Sequence, residues 1–471
     1  MRIVGREEEQ MDLQEYYDED RPEFLVVYGR RRIGKTYLIR EFFGDRFCFH
    51  ATGLSKAPKS EQLREFNYAL NKYGDGDFPV AGDWFTAFHQ LRKLIEKSAI
   101  AGKKVIFLDE MPWMDTHKSR FISGLESFWN GWASGRPDIL LIVCGSSTAW
   151  ITKKLFRNTG GLYNRVTRRM YLRPFTLKEC EEFFDAKGIV YSRQQMVESY
   201  MIFGGVPYYL NLMEKRFGLP QNVDLLCFSE NGALRGEFDE LYASLFENPE
   251  RHIRIIEAIA KKARGLSREE IVKYAGVADG GGLTKALDEL ARSDFVRKYY
   301  AYGKKERDVL YQLCDPFTLF FLKFMRGNPV VDENYWTHNI NSGGRNAWNG
   351  YAFEQVCLAH ITQIKRKLGI LGVSTRVASW RSKETVPGAQ IDLVIERGDR
   401  VINLCEIKYA DKEYEITKDY DEKLRRKRWA FEETLKSGKA LHTTLITLYG
   451  VKRNKYRFSV QSEVLMDDLF A

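Results

Sequence analysis

A short segment near the N-terminus constrains the fold most, because it has the pattern GxxxxGK[ST] between an apolar run at 24–28 and a helix-like stretch that reaches Phe43. Its residues are Gly29, Arg30, Arg31, Arg32, Ile33, Gly34, Lys35 and Thr36. In this position the backbone N–H groups of the loop and the helix N-terminus wrap nucleotide phosphates. Lys35 would neutralise the outer phosphates, and the Thr36 hydroxyl would be a ligand of Mg²⁺. A chance glycine-rich turn is the alternative, but both flanking elements are in place.

Apolar runs alternate with amphipathic stretches from the start of the chain to about residue 175. The runs lie at 24–28, 47–51, 105–108, 139–144 and 170–174. This alternation is typical of a parallel sheet wrapped by helices. We therefore predict an α/β fold over residues 1–175, with the parallel sheet of a P-loop NTPase.

Polar residues follow two of these runs. Asp109 and Glu110 come directly after the run at 105–108, where Asp109 would hold the Mg²⁺ shell and Glu110 would be the general base that polarises the attacking water. Ser146 follows the next run and could bond the γ-phosphate or the lytic water. Simple capping of the next segment is the alternative for each position.

Three further segments accompany these motifs: Gly5 and Arg6 near the start, Arg165 before the fifth run, and Gly205-Val206-Pro207. Together the segments resemble the archaeal-type ATPases, P-loop ATPases related to the AAA+ and signal-transduction (STAND) class. The resemblance covers essentially the whole chain. It implies that Gly5 and Arg6 lie over the adenine, that Pro207 faces the nucleotide from a helical lid, and that Arg165 has a sensing or finger role. For Arg165, surface charge is the alternative, and whether a homo-oligomer supplies the finger stays open.

At ~150 residues per domain, 471 residues correspond to about three domains. After the ATPase core at 1–175, helical spacing predicts the lid at 176–248. Residues 249–328 have the order helix, helix, helix and hairpin, which predicts a winged-helix module. Residues 329–471 begin with a helix at about 347–368 and continue with strands at 374–380, 390–396, 401–409 and 441–449.

The winged-helix segment has basic residues where DNA contacts would lie. Thr284 and Lys285 begin its third helix, and the hairpin carries Lys304, Lys305 and Arg307. These positions favour sequence-independent contact with DNA phosphates. Packing against other domains or dimer formation is the alternative role of such a module.

The C-terminal segment has an ordered set of chemically active residues: Glu354 on a helix, Asp392 on a strand, and Glu406 and Lys408 on the next strand. Residues two apart on a strand share a face, so Glu406 and Lys408 point the same way. The order resembles the restriction-endonuclease-like PD-(D/E)xK fold, which commonly follows the winged helix in archaeal-type ATPases. The resemblance implies that Asp392 and Glu406 hold Mg²⁺ or Mn²⁺, that Glu354 completes the site, and that Lys408 activates the water attacking a phosphodiester. Exposed charges on an amphipathic strand are the alternative.

Two features test this interpretation. A three-residue loop at 398–400, with Gly398 available for a left-handed conformation, would pair Asp392 with Glu406 on one face, whereas a loop of two or four residues would separate them. A helix at 422–436 carries a basic cluster that would track a phosphate backbone, with solvated charge as the alternative. Its residues are Lys423, Arg425, Arg426, Lys427 and Arg428, followed by Trp429.

The composition of the chain bears on its binding partners and on its cellular compartment. The net charge of +9 is compatible with a polyanion partner. Seven scattered cysteines without a CxxC pair indicate reduced thiols rather than a zinc site. The apolar runs fall far short of the roughly 18 residues of a membrane helix, and the first residues are charged, which argues against a signal peptide. We expect a cytoplasmic protein with ATP and DNA as partners and no membrane association.

The leading hypothesis is an Mg²⁺-dependent ATPase whose nucleotide state controls a DNA-binding, nuclease-like C-terminal half, in defence or mobile-element biology. The alternative is a signalling or scaffold ATPase whose nuclease-like domain is inactive and only binds nucleic acid or protein.

Overall fold

The computed structural model describes the chain except for residues 1–2, 75, 158–159, 304–308, 328–331, 383–387 and 436–437. The chain divides into two compact units, Met1–Pro174 and Phe175–Ala471. Each unit is described by itself. The finer division into a lid, a winged helix and a C-terminal domain stays a prediction.

The first unit contains a five-stranded parallel sheet in the order β2-β3-β4-β1-β5. Its strands are β1 (Glu23–Tyr28), β2 (Phe47–Thr52), β3 (Lys104–Asp109), β4 (Ile139–Gly145) and β5 (Arg168–Tyr171). The helices are α1 (Glu7–Asp18), α2 (Lys35–Phe43), α3 (Lys59–Tyr73), α4 (Trp84–Lys97), α5 (Met111–Met114), α6 (Phe121–Gly131) and α7 (Thr148–Ile151). Every residue of β3 and β4 is buried, as expected for strands covered on both faces. The predicted parallel sheet is confirmed, although β5 lies at 168–171 rather than 170–174.

The second unit begins with helices and continues into a small antiparallel sheet of order β6-β8-β7. The first helices are α8 (Leu177–Lys187), α9 (Arg193–Phe203), α10 (Pro207–Asn211), α11 (Leu219–Val223) and α12 (Glu237–Leu245). Next come α13 (Pro249–Ala260), β6 (Leu266–Ser267), α14 (Arg268–Ala275), α15 (Gly281–Arg292), β7 (Val296–Tyr300) and β8 (Val309–Leu313). The three helices and the hairpin predicted for this segment are present, and β6 is an additional strand.

The last part of the chain forms a five-stranded mixed sheet of order β13-β12-β11-β10-β9. Its elements are α16 (Pro316–Phe320), α17 (Tyr335–His338), α18 (Gly343–Ala359), α19 (Ile361–Lys367), β9 (Thr375–Ser382), β10 (Ala389–Arg397), β11 (Val401–Lys408), α20 (Lys418–Glu432), β12 (Ala440–Thr447) and β13 (Ser462–Val464). Strands β9 to β11 are antiparallel, whereas β11, β12 and β13 run parallel. Strand β13 was not predicted, because it is only three residues long.

Two predicted helices differ from the structure. The single helix expected at 347–368 is broken at His360, which lies between α18 and α19 and has φ −103°. The buried imidazole of His360 accepts a hydrogen bond from the Leu177 N–H at 3.0 Å and donates to the Val356 carbonyl. Helix α20 begins at Lys418, after the capping residue Thr417, rather than at 422. Local periodicity cannot reveal a break that depends on such a distant contact.

The hairpin of β10 and β11 has the predicted register. Leu393 pairs with Cys405 and Glu396 with Ile402, so a three-residue loop joins the strands and Asp392 falls opposite Glu406. The prediction for the loop backbone is wrong in one respect. Arg400, with φ 66°, is the left-handed residue of this loop, and Gly398 is not among the residues of positive φ.

The largest apolar cluster of the second unit draws on several of its elements. It includes Leu177 on α8, Ile259 on α13, Phe353 on α18 and Ile407 on β11. The helices after Pro174, the small sheet and the C-terminal sheet all contribute to this cluster. The C-terminal sheet also has two further apolar clusters, one with Trp380 and Phe431 and one with Ile416 and Leu445.

Candidate functional site

The phosphate loop connects β1 to α2 and is packed tightly. A Cβ on Gly29, which has φ 146°, would lie 2.3 Å from the Leu172 carbonyl oxygen, so only glycine fits there. The Lys35 side chain is 5% exposed, and its Nζ donates to the carbonyls of Gly29 at 3.0 Å and Arg30 at 2.7 Å. These two hydrogen bonds hold the ammonium group against the backbone of the loop.

The acids at the end of β3 have separate partners. The Thr36 hydroxyl donates to the Asp109 carboxylate, with 3.0 Å to each oxygen. The Glu110 carboxylate accepts from the Ser146 hydroxyl at 3.1 and 3.2 Å and from the Ser146 N–H at 3.3 Å. Glu110 itself has a left-handed backbone, with φ 43°. The structure thus brings Thr36, Asp109, Glu110 and Ser146 together, and it adds a contact between Ser146 and Glu110 that the sequence did not predict.

Burial changes the acidity of the groups around the loop. Burial lowers the pKa of Lys35, and the charges of Asp109 and Glu110 oppose this effect. Burial and the charge of Glu110 raise the pKa of Asp109, which also accepts a hydrogen bond from the Cys144 thiol. A divalent cation or an ordered set of hydrogen-bond donors would offset the electrostatic cost of burying the charged Asp109 carboxylate. The sequence did not predict that Cys144 lies close to Asp109, because a cysteine at the end of an apolar strand is expected to be part of the core.

Oxygen ligands for Mg²⁺ are present beside the loop. The Thr36 hydroxyl and the Asp109 carboxylate are the donor types that Mg²⁺ prefers, and the cation usually completes its shell with water and substrate phosphates. Within the described residues, no group of three or more His, Cys, Asp or Glu side chains could hold a metal ion alone. Thr36 and Asp109 therefore fit a cation that arrives with its nucleotide.

Beyond the phosphate loop and Ser146, four residues were predicted to contact the nucleotide: Gly5, Arg6, Arg165 and Pro207. The Arg6 guanidinium is buried and donates to the carbonyls of Ile33 at 3.3 Å and Arg173 at 2.6 Å, so Arg6 ties the phosphate loop to the end of the sheet. Gly5 precedes it with φ 66°. Arg165 is exposed in the turn before β5. Pro207, in the second unit, is the first residue of α10. Adenine contact by Gly5 and Arg6 and nucleotide contact by Arg165 and Pro207 stay predictions.

A second group of charged residues lies on β10 and β11. Lys408 Nζ is 3.9 Å from Asp392 Oδ2 and 3.6 Å from Glu406 Oε2. Asp392 also accepts from the Ile407 N–H at 3.2 Å. Burial raises the pKa of Glu406, and the charge of Asp392 adds to the effect. The structure thus places the two acids and the amine at one spot, as predicted.

Helix α20 contributes residues to this group that were not predicted there. Lys427 Nζ lies 2.6 Å from both carboxylate oxygens of Glu406, and the Tyr420 hydroxyl donates to Glu406 at 3.3 Å. The expectation that Lys427 tracks a phosphate backbone is therefore wrong: its side chain is only 12% exposed and faces Glu406. The spacing of seven between Tyr420 and Lys427 was the available signal, since it places both on one helix face.

Glu354 on α18 lies close enough to the group for its charge to interact with those of Asp392 and Lys408. Burial and the nearby charge of Asp392 raise the pKa of Glu354 to about 8. Among the described residues, these acids do not form a three-ligand cluster. The metal-completing role of Glu354 stays a prediction, and Asp392 and Glu406 are oxygen donors of the type that Mg²⁺ prefers.

Two basic residues of α15, the helix predicted to contact DNA, are paired with acids. Lys285 on α15 is 62% exposed and lies 3.0 Å from Glu247. Arg292 pairs with Asp288 on the same helix. The hairpin residues Lys304, Lys305 and Arg307 lie outside the described residues. The surface of α15 is therefore less positive than the sequence suggests. On α20, Lys423, Arg425, Arg426 and Trp429 are exposed.

The small antiparallel sheet is joined to the C-terminal sheet. Ala301, just after β7, bridges Ser379 of β9, and the Tyr302 N–H donates to the Ser379 carbonyl at 2.8 Å. Arg297 on β7 also donates to Gln355 on α18 at 3.1 Å. These contacts favour a packing role for this side of the small sheet.

The parallel sheet, the phosphate loop and the Thr36–Asp109 and Glu110–Ser146 pairs define the first unit as a P-loop ATPase. Residues 3–213 match the family model of an ATPase domain predominantly from Archaea. This part of the chain is an ATP-binding ATPase domain of the archaeal type, which confirms the resemblance for this region.

Several known proteins are similar to this chain. An uncharacterised protein of Methanocaldococcus jannaschii is 26% identical over 423 residues, covering 89% of this chain and 90% of its own. An uncharacterised ATP-binding protein of the same organism is 40% identical over 44 residues, which is 9% of this chain and 75% of its own. The Walker-type ATPase of Pyrococcus abyssi is 19% identical with a TM-score of 0.48, covering 68% of this chain and 96% of its own. The ORC2 protein of Aeropyrum pernix, in ADPNP and ADP complexes, is 13% identical with a TM-score of 0.44, covering 72% and 94%.

No helix within the described residues is both long and apolar enough to cross a membrane.

Proposed function

We propose that this protein is an Mg²⁺-dependent ATPase whose nucleotide state controls a DNA-binding, nuclease-like C-terminal half. The observation that carries the proposal is the meeting of Asp392, Glu406 and Lys408 in a unit attached to an ATPase domain. Acids and an amine on adjacent strands are the side chains that phosphodiester hydrolysis requires. Residues 249–328 would be a winged-helix module in this scheme.

In the ATPase unit, Lys35 would bind the outer phosphates and Glu110 would accept a proton from the attacking water. Ser146 holds Glu110 through its hydroxyl and its N–H, so it would set the orientation of that base. Thr36 and Asp109 would hold the Mg²⁺, which supplies charge neutralisation for the phosphates.

In the C-terminal unit, Asp392 and Glu406 would hold Mg²⁺ or Mn²⁺, which would polarise the phosphodiester. Lys408, within 4 Å of both carboxylates, would orient the water or stabilise the developing negative charge. Lys427 would have to leave Glu406, or share it, when the metal binds. The exposed face of α20 would contact the DNA backbone.

Cleavage of supercoiled plasmid in Mg²⁺ or Mn²⁺ tests the nuclease part of the proposal. We expect Asp392→Ala and Lys408→Ala each to abolish nicking, whereas Asp399→Ala, in the exposed loop of the same hairpin, should retain it. Nicking that persists in both site variants would refute the assignment.

One observation favours a second candidate function. Lys427 neutralises Glu406 through both oxygens, and a bound ammonium group can replace a metal ion in an inactive site. The chain would then be a signalling or scaffold ATPase whose C-terminal unit only binds nucleic acid or protein. Absence of cleavage with either metal, together with ATP hydrolysis and unchanged DNA binding in Asp392→Ala, would support this candidate.

A further inference from the structure

We propose that a cavity at the β13 edge of the C-terminal sheet binds an unpaired nucleotide, through its base and its phosphate. The cavity has a volume of about 730 Å³, within the roughly 300–1,000 Å³ typical of small-molecule sites. Its lining includes Lys367, Arg453, Asn454, Arg457, Phe458 and Gln461. Strand β13 is an outer strand, whereas Asp392 and Lys408 lie on β10 and β11 inside the sheet. The cavity is therefore separate from the nuclease-like group.

The charge of the lining favours an anion. Three cations line the cavity, and two of them already have acidic partners: Lys367 with Asp468 at 2.9 Å, and Arg457 with Glu463 at 2.6 Å. Arg453 is exposed, and the structure gives it no acidic partner among the described residues. Its guanidinium can therefore bind a phosphate through two parallel hydrogen bonds.

The carboxylate in the lining does not counteract this preference. Glu463 Oε1 accepts from Nε and Nη2 of Arg457, and its Oε2 accepts from the Val451 N–H at 3.1 Å. Both oxygens are thus already bonded to donors, and their negative charge is compensated within the wall. An incoming phosphate meets a net positive surface.

Phe458 supplies the surface for a base. Its side chain is 89% exposed, although it belongs to a short 3-10 turn, Arg457–Ser459, rather than to a loose end. Backbone bonds from Arg457 N–H to the Asn454 carbonyl and from Val460 N–H to the Arg457 carbonyl fix this turn. An exposed aromatic ring on a fixed backbone, in a cavity that cations also line, is an arrangement on which bases of single strands stack.

Polar groups in the lining complete the arrangement. Asn454 is committed to the loop itself, because its Nδ2 donates to the Ile416 carbonyl and its Oδ1 accepts from the Tyr456 N–H. Gln461 accepts from the Thr443 N–H through Oε1, which leaves its amide N–H groups as donors for a base edge or a sugar hydroxyl. The loop that carries Arg453 and Phe458 is thus held in place before any ligand binds.

Fluorescence anisotropy with a short labelled oligothymidylate, on the full chain without ATP or divalent metal, tests the site independently of cleavage. We expect Phe458→Ala to weaken single-strand binding roughly tenfold, because it removes one stacked base. Arg453→Gln should lower the salt dependence of binding by about one phosphate contact. Tyr68→Ala, which removes an exposed aromatic ring from α3 in the first unit, should bind as the wild type does.

Competition with thymidine monophosphate distinguishes the two sources of the ligand. Displacement of the oligonucleotide by the free nucleotide would show that one nucleotide suffices, and resistance to displacement would show that the strand is required. Wild-type affinity and salt dependence in both Phe458→Ala and Arg453→Gln would overturn the proposal. An equal loss of blunt duplex binding in Phe458→Ala would also overturn it, because a paired base cannot stack on Phe458.

Discussion

Lys35 is buried and bonded to two carbonyl groups of its own loop, so the ammonium group is already in place when a nucleotide arrives. Burial lowers the pKa of Lys35, which means that a nearby phosphate would restore a favourable environment for the charged form. The carboxylate of Glu110 is likewise held in advance, by Ser146. The site is thus preorganised for both binding and hydrolysis.

These contacts predict different outcomes for the two residues. Lys35→Ala should weaken ATP binding by roughly 10- to 100-fold, because a charged hydrogen-bond donor is lost. Glu110→Gln should bind ATP normally and hydrolyse it roughly 100-fold more slowly, because the base is lost. Nucleotide titration and phosphate release measure the two effects, with Lys93→Ala on the exposed face of α4 as the control. Normal hydrolysis by Glu110→Gln would refute its role as the base.

His360 predicts a pH dependence of the second unit. Burial lowers the pKa of His360 to about 4, below the usual 6.5. A depressed folded-state pKa stabilises the unit above pH 6.5, and this contribution is lost as the pH falls towards 4. Between pH 7.5 and pH 5, the effect amounts to about 2 kcal/mol.

Urea unfolding of the second unit, followed by hydrogen exchange of α8, measures this effect at both pH values. His360→Gln should be less stable than the wild type at pH 7.5, and it should lose less stability on acidification. His50→Gln, in the first unit, is the matched control, because burial also lowers the pKa of His50 to about 4. An unchanged acid sensitivity of α8 in His360→Gln would contradict the assignment.

The turn between helices α9 and α10 contacts Phe175, the first residue of the second unit. The Phe175 N–H donates to the Gly205 carbonyl at 2.8 Å, and a Cβ on Gly205 would lie 2.3 Å from the Phe175 carbonyl oxygen. This segment contains the Gly205-Val206-Pro207 motif. Its conformation therefore fixes the point at which the chain enters the second unit.

Two neighbouring glycines give a sharp test of this contact. Gly204 and Gly205 have φ 66° and 64°, but a Cβ on Gly204 would only approach Pro316 at 3.0 Å. Each substitution to alanine should lower the free energy of unfolding by about 1 kcal/mol, because alanine disfavours the left-handed backbone conformation. Gly205→Ala should cost roughly 2 kcal/mol more, because a backbone oxygen must move. Equal stability of the two variants in urea unfolding would contradict the contact.

The elements were predictable where their signals are local. The strands at 24–28 and 139–144 were predicted from continuous apolar runs. The odd number of residues in the loop at 398–400 predicted that Asp392 lies opposite Glu406. Strand β13 was not predicted because it is only three residues long, and the break at His360 was not predicted because it depends on a partner distant in sequence. The pairing of Lys427 with Glu406 was missed for the same reason.

The sequence predicted separate modules after residue 175, and in the structure one apolar cluster includes residues from each of them. A shared core arises because apolar positions on α8, α13 and α18 meet one another, and sequence periodicity does not specify which faces meet. The ATPase domain, in contrast, was predicted by motifs whose chemistry demands fixed neighbours.

We propose that nucleotide binding at Lys35 controls cleavage at Asp392. The most direct test is the rate of plasmid cleavage in Mg²⁺, with and without ATP, for the wild type, Lys35→Ala and Asp392→Ala. We predict that ATP changes the rate for the wild type, that Lys35→Ala cleaves at a rate independent of ATP, and that Asp392→Ala does not cleave. Cleavage by Asp392→Ala, or the same ATP response in Lys35→Ala as in the wild type, would contradict the account.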